Sequence, residues 1–158
     1  MFKTINLKKL VISLLVTFGA GFLAYFFSKD AMQDYANLNL PPLSPPSVVF
    51  SIVWPLLYLL MSIGLYITSN SKAPQPQKSL GYVLYGIQLV FNFLWTLFFF
   101  VFGFYTFSAV WLAILIIIVA FCTFVFFRVN STAGKLMLPY LIWLLFALYL
   151  NIGTAILN

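Results

Sequence analysis

The chain has 158 residues, of which 64% are hydrophobic and 6% are charged. A soluble domain carries about 25% charged residues, so eight basic and two acidic side chains are too few to cover a water-facing surface. The composition therefore excludes a soluble globular protein and predicts an integral membrane protein. The net charge of +6 does not indicate a nucleic-acid partner, because the basic residues are scattered over predicted helix ends rather than gathered in a patch.

The chain lacks most of the side chains used in metal binding and acid–base catalysis. It has no histidine, and Cys122 is its single cysteine, which excludes an internal disulfide and a cysteine-based metal site. The carboxylate side chains, Asp30 and Asp34, fall in one predicted loop, which excludes paired-carboxylate catalysis inside the membrane. We predict no metal site and no required cofactor.

Five apolar stretches are long enough to cross a bilayer, which takes about 20 residues. They predict an all-α fold, a single transmembrane domain over residues 1–158, with helices at about 7–27, 46–68, 79–102, 105–127 and 133–156. The first stretch follows several lysines, as a signal peptide would. Its apolar run exceeds the usual ~7–15 residues, however, and no small-residue cleavage site follows. We therefore interpret it as a retained helix.

The basic residues sort to one side of the membrane once five spans are assumed. Lys29 stands alone on the other side, beside Asp30 and Asp34. The positive-inside rule then predicts a cytoplasmic N-terminus and an outside C-terminus, as fits a bacterial plasma membrane. A lid loop at about 28–45 would lie on the outer face. The residues of the basic side are Lys3, Lys8, Lys9, Lys72, Lys78, Arg128 and Lys135.

Neutral polar and aromatic side chains recur at helical spacing on three predicted helices. On the third helix, Gln88 and Asn92 are four residues apart and share one face. In hydrocarbon such groups prefer the bundle interior, where they either join helices or line a site; Trp54 would also fit an interfacial belt. Their convergence favours an aromatic cavity for a large, flat or apolar small molecule. The three stripes are Ser51, Trp54, Tyr58 and Ser62; Tyr85, Gln88, Asn92 and Trp95; and Tyr140, Trp143, Ala147, Asn151 and Thr154.

Three sequence blocks resemble those of the translocator protein family, whose members are also named peripheral benzodiazepine receptor and tryptophan-rich sensory protein. The blocks are PPLSPPSVVFSIVWPLLY (41–58), GIQLVFNFLWTLFF (86–99) and LPYLIWLLFALYLN (138–151). Together they are specific, and the resemblance spans essentially the whole chain. It implies a five-helix bundle, often dimeric, whose pocket is closed by the loop after the first helix. Two small-residue pairs, Ala20/Ala24 and Ala109/Ala113, would allow close helix contacts either within the bundle or in a homodimer.

The same resemblance implies a ligand class. Family members bind porphyrins such as protoporphyrin IX and haem, and also isoquinoline or benzodiazepine drugs. Since the chain has no histidine to ligate haem iron, a porphyrin would be held by stacking and shape. The matched motif positions assign as ligand-binding residues Pro41, Pro42, Trp54, Tyr58, Gln88, Asn92, Trp95, Trp143, Ala147 and Asn151.

Three functions fit these residues. The first is a membrane receptor or sensor that binds tetrapyrroles. The second is an enzyme, since some bacterial family members promote light- and oxygen-dependent breakdown of protoporphyrin; Trp54 and Trp143 would then be the catalytic residues and the porphyrin the substrate. The third is a carrier of porphyrin or lipid, against which the lack of an inverted repeat argues. A purely structural role would leave the ordered motifs unexplained.

Overall fold

Five helices make up the computed structural model, which describes residues 5–158. Each helix is long and apolar enough to cross a membrane, so the predicted all-α bundle of five transmembrane helices is confirmed. Lys3, which contributes to the predicted charge asymmetry, lies outside the described residues. The helices are α1 (Leu7–Met32), α2 (Ser47–Asn70), α3 (Gln75–Thr96), α4 (Tyr105–Val129) and α5 (Ser131–Leu157).

Successive helices run antiparallel, which gives the bundle two distinct ends. We refer to the lid end as the one where α1, α3 and α5 finish and α2 and α4 start. The segment between α1 and α2, residues 33–46, lies there and is named the lid segment; it opens with a 3₁₀-helix at Gln33–Asn37. At the opposite end, the backbone N–H of Asn6 donates to the Tyr66 hydroxyl at 3.2 Å, and Lys9 Nζ donates to the Ser69 carbonyl at 3.0 Å.

Polar rather than apolar side chains mark the inner faces of these helices. Large apolar residues such as Ile117, Phe121 and Phe124 are exposed on the outside of α4, as suits a surface that meets lipid. The serine and threonine side chains of the spans are instead mostly buried, because a polar group in hydrocarbon needs a partner inside the bundle. The buried ones are Ser13, Thr17, Ser28, Ser62, Thr68, Thr96, Ser108, Thr123 and Thr154.

Two helix boundaries differ from the predicted ones for backbone reasons. α1 continues beyond the apolar run to Met32, and the Ser28 hydroxyl donates to the Ala24 carbonyl at 2.7 Å within that extra turn. α3 starts at Gln75, several residues before the predicted start. The helix tolerates Pro76 in its first turn, because backbone N–H groups there have no partner within the helix and the missing N–H of proline costs nothing. The third predicted helix also contains a π-helical turn, Leu97–Val101, where the Phe102 N–H donates to the Leu97 carbonyl at 3.0 Å.

The two small-residue pairs occupy different environments. Ala24 is buried and Ala20 packs against the core, so this pair serves contacts inside the bundle. Ala109 and Ala113 line a surface groove of about 390 Å³ between α4 and α5. The spacing would allow close contact at both pairs, within the bundle or in a homodimer; of the two, the first pair lies against the core of this chain.

Candidate ligand-binding site

Trp54 lies where α2, α3 and α5 meet. Its ring centroid is 5.6 Å from that of Tyr58, 6.3 Å from Trp95 and 6.4 Å from Tyr140. The side chain is half-buried and packs against the core, so it points into the bundle rather than outward into an interfacial belt. The predicted aromatic stripes of three helices therefore converge. Ser51, which the spacing placed on the same stripe, is exposed in the first turns of α2.

The two amides predicted on α3 are joined to α5 by one tyrosine. Asn92 Nδ2 donates to the Tyr140 hydroxyl at 3.0 Å, and that hydroxyl donates to Gln88 Oε1 at 2.9 Å. All three side chains are buried. Their bonds hold α3 and α5 in register. In this closed arrangement the two amides therefore join helices, which is one of the two roles that the sequence left open.

Asn151 forms a second polar junction nearer the lid end. Its Oδ1 accepts from Trp95 Nε1 at 3.0 Å and from the Ser108 hydroxyl at 3.1 Å, while its Nδ2 donates to the Tyr105 carbonyl at 2.8 Å. One amide thus ties α3, α4 and α5 together and fixes the plane of the Trp95 indole. The sequence did not single out Ser108 or Tyr105, because α4 carries no comparable polar stripe.

Tyr58 is placed by a close approach between α1 and α2. The ring of Tyr58 lies directly over Gly21, where the Cβ of any other residue would collide with the ring. Phe18 on the same face of α1 packs edge-on against Tyr58, with centroids 6.1 Å apart. Because residue 21 is glycine, α1 can approach α2 closely enough for the Tyr58 ring to pack against it, beside Trp54.

The lid segment is fastened to α5 at three points. Pro41 is buried against Gly153, where an added Cβ would lie 2.5 Å from the proline Cβ and Cγ. The Tyr149 hydroxyl donates to the Pro42 carbonyl at 2.6 Å. The Asn39 N–H donates to Asn158 Oδ1 at 3.1 Å, and Asn158 Nδ2 returns a bond to the Asn39 carbonyl at 2.8 Å. Both predicted lid prolines contribute to this fastening, Pro41 through its ring and the exposed Pro42 through its backbone.

Tyr35 fills the space under the lid segment. It is 7% exposed, and its ring centroid is 5.6 Å from Phe50, 6.4 Å from Phe99 and 6.0 Å from Phe100. The sequence analysis missed Tyr35, since a single aromatic residue in a 3₁₀-helix has no periodic neighbours that would indicate its burial. The adjacent π-helical turn brings both Phe99 and Phe100 to the same space.

The cavity that remains among these groups is small. It has a volume of about 20 Å³, room for roughly one water molecule, whereas sites for drug-sized ligands measure about 300–1,000 Å³. A large ligand can therefore enter only if Tyr35 and the lid segment move. The predicted residues Trp54, Tyr58, Gln88, Asn92 and Trp143 do not line this cavity. The lining residues are Tyr35, Phe50, Trp95, Phe99, Phe100, Ala147, Leu150 and Asn151.

Comparison with known proteins gives one consistent family. Residues 12–157 match the TspO/MBR family. The chain is similar to a tryptophan-rich protein TspO of Archaeoglobus fulgidus, with 34% identity covering 97% of this chain and 99% of that protein. It is also similar to a tryptophan-rich sensory protein of Cereibacter sphaeroides, with 35% identity covering 78% and 76% of the two chains. A translocator protein of Homo sapiens shares 32% identity, covering 80% and 75%. This integral membrane protein belongs to the TspO/MBR family.

Proposed function

We propose that this protein is a membrane receptor that binds tetrapyrroles such as protoporphyrin IX inside the bundle, in the space now filled by Tyr35. The observation that carries the proposal is the convergence of Trp54, Tyr58, Trp95 and Tyr140 beneath a lid held by hydrogen bonds. Flat aromatic ligands gain from stacking on such rings. The same surfaces suit isoquinoline and benzodiazepine drugs.

The absence of charge inside the site supports a neutral or largely apolar ligand body. Among the described residues of the lid end, the ionisable side chains Lys29, Asp30 and Asp34 are exposed rather than inside the bundle. A small hydrophilic ion would lose its hydration without gaining a charged partner. A large aromatic ring system loses little water and gains many contacts.

A titration in the dark tests the receptor proposal. We expect protoporphyrin IX to quench the tryptophan fluorescence of the detergent-solubilised protein saturably, and Trp54→Phe/Trp143→Phe to weaken the affinity by about tenfold, equivalent to roughly 1.4 kcal/mol of lost stacking. Trp111→Phe is the matched control. Trp111 stacks on Phe91, and its Nε1 donates to the Phe91 carbonyl at 2.9 Å, on the α3–α4 side of the bundle. Equal affinities in the double variant and the control would refute the site as placed.

The second candidate is light- and oxygen-dependent degradation of protoporphyrin IX at the same site. The Trp143 indole favours it, because its N–H has no partner among residues 5–158 and its ring packs against Phe50 beside the site. The porphyrin absorbs the light and molecular oxygen is the oxidant, so no acid, base or metal of the chain is required. Repeated turnover under illumination, lost in Trp143→Phe and retained in Trp111→Phe, would distinguish an enzyme from a receptor.

We also propose the orientation that the charge distribution favours. The described basic residues other than Lys29 lie at the end of the bundle opposite the lid segment. The positive-inside rule then supports a cytoplasmic N-terminus and a lid segment outside a bacterial plasma membrane. Ligands would reach the site from the outer face.

A further inference from the structure

Three side chains around the site carry buried hydrogen-bond donors that have no partner among residues 5–158. They are the Tyr35 hydroxyl, the Gln88 side-chain amide nitrogen and the Trp143 indole nitrogen. One other buried polar atom shares this condition, the Thr68 hydroxyl near the end of α2 that lies away from the lid segment. Buried donors are paired in the great majority of proteins. A concentration of unpaired donors at one site therefore indicates that a ligand supplies the acceptors.

Two of these donors belong to rings that pack against one phenylalanine in the first turn of α2. The Phe50 ring centroid is 5.6 Å from Tyr35 and 5.9 Å from Trp143. Tyr35 belongs to the lid segment and Trp143 to α5, so two different elements bring a donor-bearing ring to Phe50. An indole N–H can only donate a hydrogen bond, so the group that pairs with Trp143 must be an acceptor.

The polar neighbours of these donors are already engaged. The Ser44 hydroxyl lies near that of Tyr35; it donates to the Pro41 carbonyl at 2.7 Å and forms no hydrogen bond with Tyr35. Deeper in the site, Gln88 Oε1 accepts from the Tyr140 hydroxyl at 2.9 Å, and this bond leaves the amide nitrogen of Gln88 as the unpaired end. Trp95 differs from Trp143, since its N–H already has Asn151 Oδ1 as acceptor.

We infer that the site selects aromatic ligands that carry oxygen acceptors, as carboxylates or carbonyls, and that the Tyr35 hydroxyl and the Trp143 N–H donate to them. The inference rests on the proposed function and specifies which porphyrins or drugs the site prefers. A ligand without oxygen would gain the same stacking but leave both donors unpaired. Tyr35 is thus a specificity-determining residue in the lid segment as well as the side chain that fills the closed site.

Three porphyrins that differ at their side chains test the inference. Protoporphyrin IX ends in carboxylates, its dimethyl ester keeps carbonyl oxygens without charge, and an etioporphyrin has no oxygen. We expect Tyr35→Phe and Trp143→Phe each to weaken binding of the acid by about three- to tenfold, the range of one hydrogen bond. Binding of the etioporphyrin should change by less than about twofold in Tyr35→Phe. If the dimethyl ester follows the acid, the carbonyl oxygen suffices; if it follows the etioporphyrin, the carboxylate is the required acceptor.

Matched variants keep the outcome interpretable. Tyr25→Phe makes the same change on an exposed tyrosine of α1, and Trp111→Phe replaces a tryptophan whose N–H is already bonded. A purely structural effect of Tyr35→Phe would weaken the acid and the etioporphyrin alike. Equal affinity of the parent chain for all three porphyrins, unchanged in Tyr35→Phe, would overturn the inference while leaving the receptor proposal intact. Failure of every porphyrin to bind the parent chain would instead overturn the receptor proposal.

Discussion

Asn151 shows how a single amide can organise the interior of a membrane protein. Its oxygen accepts from an indole and a hydroxyl, and its nitrogen donates to a backbone carbonyl. In hydrocarbon the indole N–H has no water as an alternative acceptor, so it depends on Asn151, whereas the Ser108 hydroxyl also reaches the Tyr105 carbonyl at 2.9 Å. The residue therefore acts mainly as a positioning residue for Trp95, with one amide proton left for a ligand.

Removal of this junction is expected to destabilise the bundle. Asn151→Ala leaves the Trp95 N–H without its acceptor, while the Ser108 hydroxyl keeps the Tyr105 carbonyl at 2.9 Å. We expect a loss of about 1–3 kcal/mol in unfolding free energy, as for other buried donors left unpaired. The midpoint of thermal unfolding in detergent, followed by circular dichroism, measures the effect. Thr154→Val is the control, since Thr154 is equally buried but bonds only the Leu150 carbonyl of its own helix, at 2.8 Å. A similar midpoint for the two variants would contradict the role assigned to Asn151.

Spacing alone indicated which polar side chains face one another inside the bundle, but not the partners that they bond. Gln88, Asn92 and Asn151 were identifiable because an amide is conspicuous in an apolar helix, and four-residue spacing put the first two on one face. The sequence could not show that Tyr140 and Ser108 would occupy much of their bonding capacity, because those partners lie on other helices. Tyr35 was not identifiable at all, since its burial depends on how the lid segment folds back.

At the scale of elements, the lid segment combines tight fastening with a strained turn. Pro41 to Ser44 form a turn in which the Ser44 N–H donates to the Pro41 carbonyl at 3.3 Å. Leu43 has a φ of 67°, a left-handed conformation that L-residues other than glycine, asparagine and aspartate seldom adopt. The contacts with α5 hold the backbone in this conformation. Loss of those contacts should therefore release the whole segment.

Gly153→Ala tests the connection between lid and α5. The new methyl group would lie 2.5 Å from two carbon atoms of Pro41, so the proline must move away from α5. A loss of about 1–2 kcal/mol would raise the open population roughly 5–30-fold. Backbone amides of residues 35–44 should exchange faster with deuterium by that factor, and protoporphyrin should associate faster in stopped-flow quenching.

A second glycine on a membrane helix provides the comparison. At Gly19 on α1, an added methyl group meets no atom of the described residues within 4 Å. Gly19→Ala therefore makes the same gain in helix propensity without touching the lid segment. If the two alanine variants show the same exchange and association rates, the lid is not held at Gly153.

The helix boundaries illustrate where hydropathy stops being informative. An apolar run ends where the hydrocarbon ends, but a helix continues as long as its backbone hydrogen bonds do. For this reason α1 extends through Ser28 to Met32 although the sequence turns polar there. The count and order of the five spans were predictable, since each needs a long apolar stretch; the 3₁₀-helix and the π-helical turn were not, because both are determined by packing at the lid end.

At the scale of the whole molecule, the bundle is polarised in charge. Among the described residues, Lys8, Lys9, Lys72, Lys78, Arg128 and Lys135 lie at one end, and Lys29, Asp30 and Asp34 lie at the other. Basic residues that flank membrane spans stay on the cytoplasmic side. The asymmetry therefore supports the proposed orientation, in which the lid segment and the route to the site face outward.

Cysteine labelling in intact bacterial cells tests this orientation. Cys122 is 0% exposed, so the parent chain should take up almost no membrane-impermeant maleimide and serves as the blank. Asp34→Cys, in the exposed part of the lid segment, should be labelled in intact cells. Lys72→Cys, at the exposed connection between α2 and α3, should be labelled only after the membrane is permeabilised. The reverse pattern would place the lid segment in the cytoplasm, and labelling of both variants in intact cells would indicate two orientations; either result would overturn the proposed access from outside.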